Sequence, residues 1–180
     1  GKIARTRGKA TYSTLSLWDT FRAAQPLYTL LVPERIEDIV LTLLDHHKAV
    51  GTLPLWPIWG GETNTMIGNP ALPVIADAWA KGFRGFDGAE ALAAMITTST
   101  KNHAHSDWSL FDRFGYYPFD RVENEAVSRT LEAGIGDAAT ARMAVMLGDT
   151  AAAERFGTRA KAYRRSVSYT HLTLPTKRIV

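Results

Sequence analysis

The chain has 180 residues, of which 46% are hydrophobic, a formal net charge of +3 and no cysteine. A chain of this length suits one compact domain. The lack of cysteine excludes disulfides, thiolate catalysis and cysteine-ligated zinc, while the weak charge, without a run of five basic residues, gives no support for nucleic-acid binding. No apolar stretch of about 18 residues is present, so the sequence predicts no membrane-spanning helix.

The first half of the chain predicts helices separated by one irregular segment. Residues 14–31 predict a first helix, which Pro26 should kink or break. A second helix is predicted over residues 34–50, where apolar residues recur at helical spacing and Gly51 follows as a stop. The prolines and glycines of residues 52–68 predict a loop.

Two further helices are predicted after this loop. The third begins with Asn69 as N-cap and Pro70 at the first helical position, and ends at Gly82. The fourth begins at Asp87, with Glu90 completing a capping box. Residues 101–124 are rich in aromatic residues and predict a long loop.

The last two predicted helices form an antiparallel hairpin. The fifth helix covers residues 126–147 and the sixth residues 150–165, with Gly148 and Asp149 between them. The predicted inner stripe of the fifth consists of Val127, Leu131, Gly134, Ala138, Ala141 and Val145. The predicted packing residues of the sixth are Ala152, Phe156, Ala160 and Tyr163. No fixed repeat is visible, so the pattern predicts an all-α toroid or bundle whose functional residues lie in the loops.

The C-terminal segment has a different character. Residues 167–176 read VSYTHLTLPT, which resembles the conceptual translation of a sequencing-library adapter, although the alternating Thr, Leu and Val also suit a natural β-strand. We expect residues 1–166 to be the natural protein and 167–180 to be no domain. Without Lys177 and Arg178 the formal charge of +3 falls by two, so the basic balance indicates little about partners.

The segment WPIWGGETNTMIGN at residues 56–69 is the densest candidate site. Trp56 and Trp59 offer ring faces for sugars, and Glu62 and Asn64 offer hydrogen bonds to hydroxyl groups. The alternative is a packed loop in which the indoles fill space and the glutamate caps backbone groups. Composition alone favours that alternative.

Three other segments carry polar or aromatic groups. Asp19 and Arg22 lie three residues apart and can form an ordinary ion pair on one helix face. His103, His105 and Asp107 have metal-ligand spacing, but loop histidines more often only form hydrogen bonds, and His46-His47 suits a helix C-terminus. Residues 116–120 (YYPFD) suit a subsite wall and plain loop packing equally.

Taken together, these segments resemble the family 92 glycoside hydrolases, which are calcium-dependent exo-α-mannosidases. The matching stretches run from YSTLSLWDTFR at residue 12, through LPLWPIWGGETNTMIGN, to GYYPFD and AVSRTLEAGIGDAA at residues 126–139. The resemblance implies an all-α fold, namely about the first half of an (α/α)6 barrel. It also implies a secreted or periplasmic protein that acts on mannose-containing glycans.

The resemblance further implies an inverting reaction, which needs an acid and a base carboxyl about 6.5–9.5 Å apart. In the family, the acid Glu and base Asp belong to motifs absent from this sequence, so the resemblance assigns no catalytic residue and no metal ligand to this chain. We expect them, and most calcium ligands, in a missing remainder of the catalytic domain, and we expect this chain alone to be inactive. Asp19 is implied to hold mannose in the −1 subsite, with Arg22 orienting it and Trp56, Trp59, Glu62 and Asn64 lining the same pocket.

Two other functions stay open. A non-catalytic carbohydrate-binding protein would keep Asp19 and the tryptophan loop but lack the acid and base. A structural helical-hairpin protein would bury Trp56, Trp59 and Glu62 and leave them spatially unrelated to Asp19.

Overall fold

The computed structural model of the chain describes residues 6–59, 61–104 and 106–165, and these residues are mostly helical. The helices are α1 (Leu17–Thr20), α2 (Ala24–Leu31), α3 (Ile36–Val50), α4 (Ala71–Ala80), α5 (Gly88–Thr98), α6 (Trp108–Phe114), α7 (Ala126–Leu147) and α8 (Thr150–Arg159). Short 3-10 turns cover Pro33–Arg35 and Ala162–Arg165, and strands β1 (Pro57–Ile58) and β2 (Gly61–Glu62) form an antiparallel hairpin. The tail predicted over residues 167–180 lies outside the described residues. No helix among the described residues is long and apolar enough to cross a membrane.

The predicted first helix is two helices, and the break lies before Pro26 rather than at it. Residues 21–23 form the turn between α1 and α2. Pro26 is the third residue of α2, where a backbone N–H would have no intrahelical partner, so its ring is tolerated. The result leaves the Asp19 segment as a short helix of its own.

Helix α3 agrees with its prediction, but its acidic residues serve a purpose that the sequence did not reveal. Gly51 ends the helix with φ 92°, and Ile36, Val40, Leu43 and Leu44 are buried. Asp38 accepts hydrogen bonds from the backbone N–H of Lys9, at 2.8 Å. Glu37 accepts one from the N–H of Gly85, at 2.6 Å. These carboxylates therefore hold neighbouring segments in addition to any helix-dipole effect.

The caps of α4 and α5 differ partly from the predicted ones. The Asn69 side chain donates to the Leu53 carbonyl at 3.3 Å instead of capping α4, so its predicted N-cap role is wrong. Asp87 caps α5 by accepting from the backbone N–H of Ala89 and Glu90, as predicted. Glu90 does not complete a capping box, because its carboxylate pairs with Arg7 and Lys48.

Residues 101–124 are not all loop. The Asp107 carboxylate caps α6 by accepting from Leu110 N at 3.0 Å, and Gly115 ends it with φ 73°. The short length of this helix and its many aromatic residues hid it from a search for helical periodicity. Trp108 and Phe111 are buried and pack with Tyr117 in a second, smaller core.

Helices α7 and α8 form the predicted hairpin, but the predicted inner face of α7 is wrong. Of that stripe only Gly134 is buried, whereas Ala138 and Val145 are exposed. The buried face consists mainly of small and polar residues, among them Thr130, Ala133, Asp137, Thr140 and Ala144. Phe156 of α8 is buried as predicted, whereas Tyr163 is exposed in the 3-10 turn.

Candidate functional site

Asp19 presents its carboxylate at the surface of α1. The residue is exposed, and its Oδ2 accepts a hydrogen bond from the Ser16 hydroxyl. Leu17 and Phe21 on either side of it are buried, so the short helix is fixed to the core while Asp19 faces outward. The exposed carboxylate therefore has acceptor positions left for a ligand's hydroxyl groups.

Arg22 does not pair with Asp19 as the sequence suggested. Its Nη2 donates to Glu132 Oε1 of α7 at 2.6 Å, while its guanidinium lies 4.2 Å from the centre of the Phe21 ring. No Asp19–Arg22 ion pair occurs within the described part of the chain. The physical reason is that Arg22 lies in the turn after α1, so the two side chains do not share a helix face.

The segment from Trp56 to Asn64 is a β-hairpin built around Glu62. The Glu62 carboxylate accepts from the backbone N–H of Leu55 at 2.6 Å, of Trp56 at 3.0 Å and of Asn64 at 2.9 Å. These donors occupy most of the acceptor capacity that the sequence analysis assigned to sugar hydroxyls. Glu62 thus fixes the shape of the hairpin, and any contact it makes with substrate is additional.

Trp59 stands at the tip of this hairpin. It is 93% exposed and has φ 50°, a left-handed conformation that a large side chain rarely adopts without a local constraint. Trp56 is half-buried, and Asn64 is half-buried with φ 52°. Trp59 is therefore presented to solvent rather than packed, which contradicts the burial that a purely structural role predicted.

Glu132 connects the two predicted site segments. Besides its ion pair with Arg22, it packs against Gly68, where an added Cβ would lie only 2.7 Å from Glu132 Cβ. The loop after the hairpin and the turn after α1 therefore meet at one side chain of α7. Among the described residues, no hydrogen bond or ion pair joins Asp19 or Arg22 directly to residues 56–64. Sequence reasoning missed Glu132 because it lies inside a helix interpreted only through its apolar stripe.

The described residues of the histidine segments make contacts other than metal ligation. The Asp107 carboxylate caps α6 and accepts from Asn102, and the backbone of His103 pairs with Ser106. His105 lies outside the described residues. Within the described ranges, no three His, Asp or Glu side chains are grouped closely enough to hold a metal ion. In the last turn of α3, partial burial lowers the pKa of the His47 imidazole.

In the YYPFD segment, Tyr117 is packed in the interior, whereas Phe119 lies at the surface. Tyr117 is 4% exposed and packs against Trp108 and Phe111, which is loop packing, and burial raises the pKa of its phenol. Phe119 is half-exposed and lines a small surface cavity beside the start of α7.

A buried ion pair joins α7 to α8, and its arginine lies beside the Trp108 and Phe111 rings. Asp137 is fully buried and accepts from Arg159 Nε at 3.0 Å, while Arg159 Nη2 donates to the Ser99 carbonyl at 2.9 Å. Burial raises the pKa of Asp137 to about 7, with Arg159 opposing the shift. The pair locks α8 onto α7 and the end of α5.

The chain is similar in sequence and structure to known glycoside hydrolases. The sequence profile of the glycosyl hydrolase family 92 catalytic domain matches residues 1–172. A family GH92 inverting mannosidase from Bacteroides thetaiotaomicron is similar in structure, with 33% identity and a TM-score of 0.83, over 91% of this chain and 23% of that one. A family GH92 α-mannosidase from the same organism, solved in complex with mannoimidazole, is similar with 37% identity and a TM-score of 0.86, over 93% of this chain and 22% of that one.

The chain thus spans only 22–23% of the length of these solved proteins. Their catalytic domain is an (α/α)6 barrel, so the predicted all-α fold class is confirmed and the described helices form part of such a barrel. A search of curated proteins found no match.

Proposed function

The chain belongs to glycosyl hydrolase family 92, and from this we propose that the full-length protein hydrolyses terminal α-mannosyl linkages of glycans with inversion of configuration. The observation that carries the proposal is the family match over residues 1–172, together with the similarity to an inverting mannosidase and to an α-mannosidase. From membership of this family we also propose a secreted or periplasmic location.

Asp19 is the residue we propose to bind the mannose in the −1 subsite. Its exposed carboxylate accepts hydrogen bonds only, and sugar hydroxyls are donors that match it. Charge-assisted hydrogen bonds of this kind are about twice as strong as neutral ones. Arg22, held by Glu132, keeps part of its guanidinium accessible for a substrate oxygen, because its side chain is 48% exposed.

The hairpin supplies the remaining contacts in this proposal. Trp59 offers a ring face to the apolar C–H surface of a sugar, and the Asn64 amide offers both a donor and an acceptor. The Glu62 carboxylate holds the hairpin in shape by accepting from three backbone amides, including that of Trp56, and both side chains are proposed to line the same pocket. Glu62 is not proposed as the general acid, because backbone donors already hold its carboxylate.

Acid–base catalysis and calcium belong to the full-length protein in this proposal. An inverting glycosidase needs two carboxyls about 6.5–9.5 Å apart on opposite sides of the scissile bond. No group of three His, Asp or Glu side chains that could hold a metal ion occurs among the described residues, and the role proposed for them is binding of the sugar. Asp19, Arg22 and the hairpin contribute binding and orientation of the sugar.

The direct test is hydrolysis of an α-linked mannobiose by the full-length protein, followed by proton NMR of the anomeric signals. Inversion predicts β-mannose as the first product, with activity lost on chelation and restored by calcium. Formation of α-mannose first would contradict the proposed stereochemistry. Mannoside binding without any hydrolysis would favour the carbohydrate-binding alternative.

A further inference from the structure

The Glu132 carboxylate of α7 pairs with Arg22, one of the residues proposed to bind the sugar. Glu132 lies in the N-terminal third of α7, 110 residues from Arg22 in sequence, and its carboxylate pairs with that arginine at 2.6 Å. Its side chain is 14% exposed, whereas that of Arg22 is 48% exposed. The Glu132 carboxylate is therefore held within the fold, while the Arg22 side chain extends toward solvent.

The position of Arg22 depends on this contact because little else holds its guanidinium by hydrogen bonding. The other described hydrogen bond, from Nη1 to the Trp18 carbonyl, is 3.5 Å long and therefore weak. The ring centres of Phe21 and Trp18 lie 4.2 and 5.3 Å from the guanidinium carbon and form cation–π contacts with it. Among the described residues, Glu132 thus supplies the short hydrogen bond that fixes the direction of the Arg22 guanidinium.

Glu132 is itself positioned by the loop that follows the tryptophan hairpin. Gly68 has φ 74°, and its missing side chain leaves the space that Glu132 fills, since an added Cβ would lie 2.7 Å from Glu132 Cβ and 3.1 Å from its Oε2. The Glu132 side chain is thereby in contact with Arg22 and with the loop that follows the hairpin.

We infer that Glu132 is a positioning residue of the sugar site: it sets the direction of the Arg22 guanidinium and fastens it to the loop that follows the tryptophan hairpin. This inference rests on the proposed function. Glu132 acts through Arg22 and does not itself contact the sugar.

The test uses the full-length protein and compares Glu132→Gln with a matched control, Glu90→Gln, which removes an equally ion-paired carboxylate outside the site. Loss of a charged hydrogen bond at a half-exposed arginine predicts about a 10-fold rise in the KM for an α-mannoside. We expect kcat to change by less than about 3-fold, because ground-state and transition-state binding are weakened alike. A KM for E132Q equal to that of E90Q would overturn the inference.

A double-mutant cycle separates positioning from a general structural role. In an Arg22→Gln background, Glu132→Gln should raise the KM no further, because its effect passes through Arg22. An undiminished effect in that background would overturn the inference. Should E132Q fold poorly, Glu132→Asp, one methylene shorter, should still raise the KM several-fold, and an unchanged KM would count against the inference.

Failure of the proposed function is recognised separately. A wild-type protein that hydrolyses no α-mannoside overturns the proposed function and this inference together. An active wild type whose E132Q and E90Q variants behave alike overturns only the role of Glu132.

Discussion

At the residue scale, the two acidic groups singled out in the sequence differ in how much of their hydrogen-bonding capacity is already used. The Glu62 carboxylate accepts from three backbone amides, whereas the exposed Asp19 carboxylate accepts from one side-chain hydroxyl. By residue type alone, both carboxylates are equally able to accept hydrogen bonds from a ligand. Their surroundings assign Glu62 to the shape of the hairpin and leave Asp19 available to a ligand.

Replacing Glu62 with Gln should loosen the hairpin. The amide has one acceptor oxygen in place of two, so at least one of the three backbone donors loses its partner, at a cost of about 1–3 kcal/mol. Hydrogen exchange at Leu55, Trp56 and Asn64 measures the effect. The control is Glu34→Gln, which alters an exposed carboxylate 3.8 Å from Arg35. Equal exchange rates in the two variants would contradict the anchoring role.

Replacing Asp19 with Asn should weaken mannoside hydrolysis by the full-length protein without changing its melting temperature. Asp19 is exposed, so its carboxylate contributes little to folding, while the loss of charge-assisted hydrogen bonds predicts about a 10- to 100-fold fall in kcat/KM. A kcat/KM within 2-fold of wild type, a spread of about 0.4 kcal/mol, would remove Asp19 from the proposed subsite.

The buried carboxyl of Asp137 predicts a pH-dependent stability. Burial raises its pKa to about 7 in the folded chain, from 3.8 for the free group, so between these values the folded state binds more protons than the unfolded state. Stability should therefore fall as pH rises from 5 to 7, and Asp137→Asn should flatten this slope. Melting temperatures across this range measure it. A slope that D137N leaves unchanged would show that another group is responsible.

At the element scale, helix positions were more predictable from the sequence than helix faces. The limits of α7, at Ala126 and Leu147, follow from its composition and from Gly148. Its buried face did not follow, because the buried contacts are made by small residues and by Asp137, which Arg159 neutralises. The apolar Val145 lies on the opposite, exposed side. Apolar periodicity locates a core face only where apolar side chains form that core.

The junction of α7 with the loop after the hairpin can be tested at Gly68. Alanine there is strained by the positive φ and also meets Glu132 Cβ at 2.7 Å, whereas alanine at Gly82, with φ 92°, meets nothing within 4 Å. Gly82→Ala should cost about 1 kcal/mol, and Gly68→Ala about 1–3 kcal/mol more. Thermal or urea unfolding compares them. Equal costs would mean that Glu132 moves aside freely.

At the scale of the whole molecule, the described helices leave apolar side chains in solvent. Leu30 and Leu31 of α2 are 76% and 66% exposed, and Val145 of α7 is 68% exposed beside a groove of about 610 Å³ between α4 and α7. The fold class could be predicted from the sequence because the resemblance to a family implies the fold of that family. The role of Arg22 was not, because its partner lies 110 residues away in the chain.

This exposed apolar surface predicts self-association of the 180-residue chain when it is produced alone. Sedimentation at increasing concentration should show oligomers at micromolar levels, and Val145→Lys should reduce them. Thr158→Lys, on the exposed side of α8, is the matched control for the added charge. A monomer with a sharp, cooperative melt would contradict the prediction.

The Asp19 segment and the tryptophan hairpin are proposed to form one mannose-binding site, and a crystal structure of the full-length protein with a bound ligand tests this juxtaposition. The ligand of choice is mannoimidazole, the compound bound to one similar mannosidase. We expect a sugar hydroxyl within hydrogen-bonding distance of the Asp19 carboxylate, with the Trp59 hairpin at the same pocket. A ring bound elsewhere, with Asp19 and Trp59 both in solvent, would contradict the proposed site.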